Sequence, residues 1–161
     1  QAQANPEALE AIKRADMIVL GPGDLYTSLI PNLLVSDVAH TIKNSKAKKV
    51  YVLNLMTKWG QTYNFTASDH MSILEKYIGK TLDVVIVNSH ALPQSVLALY
   101  AKQHELPVVD DLKDTYFKVI RSRVAAAVVT TKTKSDTLVR SLIRHDSARL
   151  AQVLVRIAQS S

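Results

Sequence analysis

Gly21-Pro22-Gly23-Asp24-Leu25-Tyr26-Thr27-Ser28 is the stretch whose residue types best suit chemistry. Glycines let the backbone approach a ligand closely, exposed amides cradle an anion, and the hydroxyls of Thr27 and Ser28 add donors. A phosphate fits that set. The stretch is neither the G-x-G-x-x-G dinucleotide pattern nor a phosphate loop ending in Gly-Lys-Ser/Thr, so a plain strand-to-helix turn explains the residues equally well. Asp24 would repel a bare phosphate. It reads foremost as a helix N-cap, and otherwise as a ligand of a divalent metal that bridges to phosphate.

Two more segments carry polar groups of interest. Asn54-Leu55-Met56-Thr57 contains an amide that donates and accepts at once, which suits a base or sugar edge or the capping of a loop. Thr66-Ala67-Ser68-Asp69 is a capping-box pattern, with the acid three residues after the threonine. Asp69 and His70 are adjacent on that helix and point about 100° apart, so they form no facing pair. The default role of Asp69 is the cap, while His70 remains a candidate for the ligand rim. His90, in Asn88-Ser89-His90, is a second rim candidate. His40, His90, His104 and His145 show no metal-ligand spacing. No Ser-His-Asp or paired-carboxylate arrangement follows from spacing.

These residues need positioning elements. Asn5-Pro6-Glu7 starts a helix running to about Arg14. Met17–Leu20, Val50–Leu53 and Asp83–Val87 read as strands, short, apolar and bounded by breakers. Helices are expected from about Leu33 to Asn44, from Thr66 to about Tyr77, and from Pro93 to about His104. Pro107–Val109 reads as a short strand. Tyr116–Ile120 and Val124–Thr130 read as two strands of a small hairpin, followed by helices near Asp136–Arg144 and Ser147–Ala158. The alternation predicts an α/β, Rossmann-like three-layer fold, a mostly parallel sheet with helices on both faces, in a single domain over residues 1–161. Ligands of such folds bind at the carboxyl ends of strands, which singles out the loops after Leu20, Leu53 and Val87.

Composition narrows the class. The chain has 161 residues, enough to bury a full core, with 47% hydrophobic and 21% charged residues. No run approaches the roughly 20 apolar residues of a membrane helix, and no signal peptide is visible. The sequence contains no cysteine, which excludes disulfides, thiolate metal sites and a cysteine nucleophile within it. The net charge is +6, but its densest cluster, Lys43, Lys46, Lys48 and Lys49, lacks interleaved aromatics. It reads as a solvated helix end rather than a nucleic-acid patch. The chain starts on Gln1 and enters a helix almost at once, which leads us to expect a longer protein.

Three stretches together resemble the 2-phospho-L-lactate transferase superfamily, and within it the bacterial gluconeogenesis factors. They are Ile18 to Leu34, with its Leu-Tyr-Thr-Ser-x-Ile-Pro-Asn-Leu-Leu run, Asn54-Leu55-Met56-Thr57, and Phe65-Thr66-Ala67-Ser68-Asp69-His70. Arg144-His145-Asp146 also suits that branch. The resemblance covers nearly the whole chain but only the C-terminal half of a typical member. It implies a Rossmann-like fold and assigns ligand-binding roles residue by residue. Gly21, Pro22 and Gly23 match a phosphate-facing loop, with Tyr26, Thr27, Ser28 and Asn32 beside it. Asn54, Met56 and Thr57 match a loop lining the ligand cleft, and Phe65, Thr66, Asp69 and His70 match the aromatic-Thr-x-x-Asp-His motif. The family commonly has serine at Asp24, and Glu-Thr-Asp-Gly where this chain has Gln61-Thr62-Tyr63-Asn64.

For the regulatory branch the resemblance implies a cytoplasmic protein of carbon metabolism and cell shape that binds UDP-sugars without turnover. That is the leading expectation. The transferase branch implies transfer of a phospholactyl group onto a deazaflavin with a divalent metal such as magnesium. A non-catalytic interaction domain that self-associates through its C-terminal helices, giving a homo-oligomer, is the third reading. No cofactor and no catalytic residue follow from the residues themselves. The expected partner is a phosphorylated small molecule such as a UDP-sugar, with neither nucleic acid nor a membrane span.

Overall fold

The computed structural model describes residues 2–127 and 142–160. Helix α1 (Pro6–Arg14) begins as its sequence dictates, with the Asn5 side chain accepting from the Glu7 amide and Pro6 in the first turn. Strand β1 (Met17–Leu20) leads into a π-helical turn, Leu25–Leu29, and the short helix α2 (Ile30–Leu33). Then come α3 (Val38–Asn44), β2 (Lys48–Val52), α4 (Ala67–Ile78), β3 (Val84–Asn88), α5 (Gln94–Ala101), β4 (Lys118–Ser122), β5 (Ala125–Ala127), β6 (Ile143–His145) and α6 (Ser147–Gln159).

The four strands β1-β2-β3-β4 form one parallel sheet in chain order. Alternation along the central strands divides the core. Tyr51, Leu53, Val85 and Val87 face one cluster, where Ile42 of α3 and Leu74 and Ile78 of α4 cover them and Ile12 of α1 packs alongside. Val50, Val52, Val84 and Ile86 face the opposite cluster, covered by Leu150, Val153 and Ile157 of α6. The expected three layers with helices on both faces are therefore present.

Several local expectations are corrected. The single helix over Leu33 to Asn44 is two, because Asp37 takes a left-handed conformation at φ 64° between α2 and α3, a conformation a short polar side chain tolerates. Pro107–Val109 makes isolated bridges to Met56 and Thr66 rather than a strand of the sheet. Tyr116–Ile120 and Val124–Thr130 do not form a hairpin. Their first part belongs to β4, whose partner is β3, while β5 pairs antiparallel with β6. Adjacent β-type runs look like a hairpin in sequence, yet the partner of each lies elsewhere. The helix expected over Asp136–Arg144 is corrected at its end, where Ile143 and Arg144 are strand. Its earlier part, like the last residues of the expected second hairpin strand, falls outside the described residues.

The lysine cluster is less solvated than expected. Lys49 is buried, and its ammonium donates to the Ser45 and Ala47 carbonyls at the end of α3. The Lys48 ammonium does the same for Ile157 and Ser160 at the end of α6, at 3.0 and 2.6 Å. Both charges meet the partially negative ends of helices. Among the described residues, no helix is long and apolar enough to cross a membrane.

Candidate functional site

The loop after β1 is shaped by sterics. Gly21 sits at φ +90°, and a Cβ there would lie 3.0 Å from the Val52 carbonyl oxygen, so only glycine fits. The following π-helical turn has a cause in sequence. Pro31 has no N–H to give the Thr27 carbonyl, so a regular α-helix cannot run through this point. Ser28 and Leu29 amides both donate to the Asp24 carbonyl, at 2.9 and 3.1 Å. Asn32 Nδ2 donates to the Ser28 carbonyl at 2.6 Å. Asp24 occupies the N-cap position, but among the described residues its carboxylate caps no amide and meets the Thr27 hydroxyl at 3.5 Å. It is thereby left to face the space beyond the loop.

Asn54 ties the second loop to the first. Its Oδ1 accepts from the Tyr51 hydroxyl at 3.1 Å, and its Nδ2 donates to the Gly23 carbonyl at 2.9 Å. Thr57 is buried and holds the chain segment near Leu106. The Thr57 amide donates to the Leu106 carbonyl, and the Leu106 amide donates back to Thr57 Oγ1 at 2.9 Å. Met56 bridges to Pro107 beside them.

Around these loops lies a cavity of about 160 Å³. Gly23, Asp24, Asn54, Met56 and Thr57 line it, together with Lys58, Tyr100, Glu105, Arg144 and His145. Lys58 Nζ and the almost fully buried Glu105 carboxylate form an ion pair at 2.7 Å. That hydrogen bond raises the Lys58 pKa, outweighing the opposing effect of burial, with Asp24 adding to the upward shift. His145 hydrogen-bonds the Leu53 backbone, and burial holds its pKa below the usual histidine value. Its Nε2 is buried without a partner among the described residues. A second cavity, of about 220 Å³, opens on the other side of Asn54 and is lined by Asn88, His90, Leu92 and Pro107 among others.

The Phe65–His70 motif is built differently. Thr66 and Asp69 form a reciprocal capping box at the start of α4, the default reading of Asp69. His70 is fully buried, with Nδ1 on the Thr66 carbonyl at 2.8 Å and Nε2 unpartnered among the described residues. Burial lowers its pKa, so the ring is neutral near pH 7. Phe65 meets His70 and Tyr26 edge-on, at centroid distances of 5.6 and 6.5 Å. Asp111 packs against the same cap. Burial would raise its pKa, but hydrogen bonds from the Ser68 hydroxyl and amide and from Thr66 hold it below the ordinary carboxylate range.

Of the sequence-derived candidates, Gly23, Asn54, Met56 and Thr57 share the cavity with Asp24. Thr27 and Ser28 lie on the turn that leaves it. Thr66, Asp69 and His70 have their polar atoms committed to α4 or enclosed. Sequence reasoning missed Lys58, Tyr100 and Glu105, which carry no local motif. It noted Arg144 through the resemblance, and His145 there and among the histidines without metal-ligand spacing, and assigned neither to the site. Among the described residues, no group of three His, Asp or Glu side chains could hold a metal. Asp24 alone could give one carboxylate to a magnesium ion held mainly by ligand phosphates.

Comparison with known proteins gives the chain a family context. The family model for 2-phospho-L-lactate transferase CofD matches residues 1–131. A putative gluconeogenesis factor of Thermotoga maritima is 43% identical over 156 residues, covering 97% of this chain and 48% of that protein. The gluconeogenesis factor of Bacillus subtilis is 36% identical over 154 residues, covering 93% and 45%. A crystal structure of an upf0052 family member from Bacillus halodurans superposes with a TM-score of 0.84 at 34% identity, covering 95% of this chain and 47% of that one. The chain thus spans about half the length of the relatives it matches.

Proposed function

The chain belongs to the 2-phospho-L-lactate transferase CofD family, and from that premise we propose that it is a nucleotide-sugar-binding regulatory protein, resembling the gluconeogenesis factors in carbon metabolism and cell shape and working in the cytoplasm. One observation carries the reading. Gly23 and Asn54 of two separate loops border one cavity at the carboxyl ends of the parallel strands, together with Arg144 and the Lys58–Glu105 ion pair. Backbone amides of Gly21 and Gly23 and the hydroxyls of Thr27 and Ser28 hold the diphosphate, with Arg144 and Lys58 beside it. Asn54, Met56 and Thr57 border the sugar or base. Tyr26, Asn32, Phe65, Thr66, Asp69 and His70 shape the walls behind.

The name of the matching family model supports a second reading, transfer of a phospholactyl group to a deazaflavin. One experiment separates the two. Calorimetric titration of the full chain with UDP-N-acetylglucosamine, with and without magnesium, is expected to show saturable binding and no product. Thr27→Ala and Asn54→Ala are each expected to weaken it about tenfold. Unchanged affinity in both variants would sink the site assignment, and turnover with a deazaflavin acceptor would sink the regulatory reading.

A further inference from the structure

Trp59 is the chain's only tryptophan, and it is 55% exposed. Its surroundings are ordered around it. The Tyr63 ring packs edge-on at 4.7 Å, and the His104 ring lies at 4.7 Å with a tilt of 39°. His104 reaches that position from a left-handed backbone at φ 56°, uncommon for a residue with a Cβ. The loop itself hangs on buried polar residues. The Lys58 amide donates to Thr62 Oγ1 at 2.9 Å, Thr57 pairs with Leu106, and Glu105 holds Lys58. An exposed indole fixed by three such anchors is a constructed surface, since a solvated side chain needs none of them.

Its place follows from the chain. Trp59 succeeds Lys58, and His104 precedes Glu105, and Lys58 and Glu105 form an ion pair that lines the cavity. That cavity, about 160 Å³, is smaller than the roughly 300–1,000 Å³ that encloses a drug-sized ligand. A ligand of sugar, two phosphates and base must extend past the rim. Its uncharged planar end then needs an apolar flat surface, and an indole with one side backed by another ring offers one.

We propose that Trp59, backed by His104 and Tyr63, is the stacking platform for the nucleobase of the bound nucleotide, just outside the Lys58–Glu105 pair. This inference rests on the nucleotide-binding reading above and adds the base subsite to it. Stacking on an indole is tolerant of base identity, so the platform contributes affinity more than selection among nucleotides.

The test uses the full chain, with tryptophan emission and calorimetry read on the same samples. UDP-N-acetylglucosamine is expected to quench the Trp59 emission saturably, with the same midpoint as the heat signal. Trp59→Ala should weaken binding about five- to hundredfold, while Trp59→Phe, which keeps an aromatic face, retains most of the affinity. Heat of binding with no change in emission, and an unchanged Kd for Trp59→Ala, would overturn the platform and leave the nucleotide-binding reading standing. Loss of self-association in Trp59→Ala at unchanged Kd would assign the patch to a second copy and overturn it too. Absence of any heat in the wild type would remove both readings together.

Discussion

The turn from Gly21 to Asn32 and the loop from Thr57 to Tyr63 border one cavity but are made in opposite ways. The first is closed in on itself. Asn54 satisfies the Gly23 carbonyl, Asn32 satisfies that of Ser28, and Gly21 touches the backbone of β2. The second hides its polar anchors, Thr57, Thr62 and Glu105, and presents rings to solvent. The first concentrates its special residues, Gly21, Gly23, Pro31 and Asn32, in one run, so its motif is readable even though Asn54 and β2 complete it. The second depends on the segment after α5, distant in sequence, so no spacing announces it.

The two glycines give the strongest way to break this contrast. Gly21→Ala combines a positive φ with a Cβ 3.0 Å from the Val52 oxygen, and should cost about 3 kcal/mol. Gly60, at φ +74°, faces open space, and a Cβ there would meet none of the described residues within 4 Å. Gly60→Ala should therefore cost about 1 kcal/mol, the strain alone. Urea denaturation of both variants checks the ranking, and equal costs would mean the Gly21 turn relaxes freely. Between them falls Lys58→Met. It strands the buried Glu105 carboxylate and should cost about 2 kcal/mol, most of it regained in the double variant with Glu105→Gln. A full additive loss in that double variant would show that the pair does not anchor the aromatic loop.

The gentlest effect concerns His70 and His145. Burial lowers both pKa values, so the unfolded chain binds protons first as pH falls. Their contribution to stability is intact above about pH 6.5 and erodes as pH drops from there toward the lowered folded values. Denaturation midpoints between pH 7.5 and 5 should fall, and His70→Asn and His145→Asn should each flatten the slope. A slope unchanged by either variant would place the titration elsewhere.

Much of the architecture was legible because it rests on local signals. Asn5-Pro6 and Thr66 with Asp69 mark helix starts by their own hydrogen bonds, and the apolar runs of β2 and β3 need no long-range information. The misreadings occurred where tertiary pairing decides. Lys118–Ser122 could not be assigned to β3 from its own residues, nor Ile143–His145 to β5. The site shows the same division. Gly21, Gly23 and Asn54 were readable as a motif, while the Lys58–Glu105 pair exists only once α5 brings its two halves together.

The covering of the second sheet face by α6 also has a kinetic side. The four parallel strands pair in chain order, so each addition to the sheet closes only a short loop. Helix α6 instead closes contacts across the molecule, and Lys48 reaches the Ser160 carbonyl over a separation of 112 residues. Long closures carry the larger entropic cost and form late. During synthesis, Val50, Val52, Val84 and Ile86 therefore lack their α6 cover from the time β3 emerges until α6 docks. In that interval the nascent chain is a natural client for a chaperone.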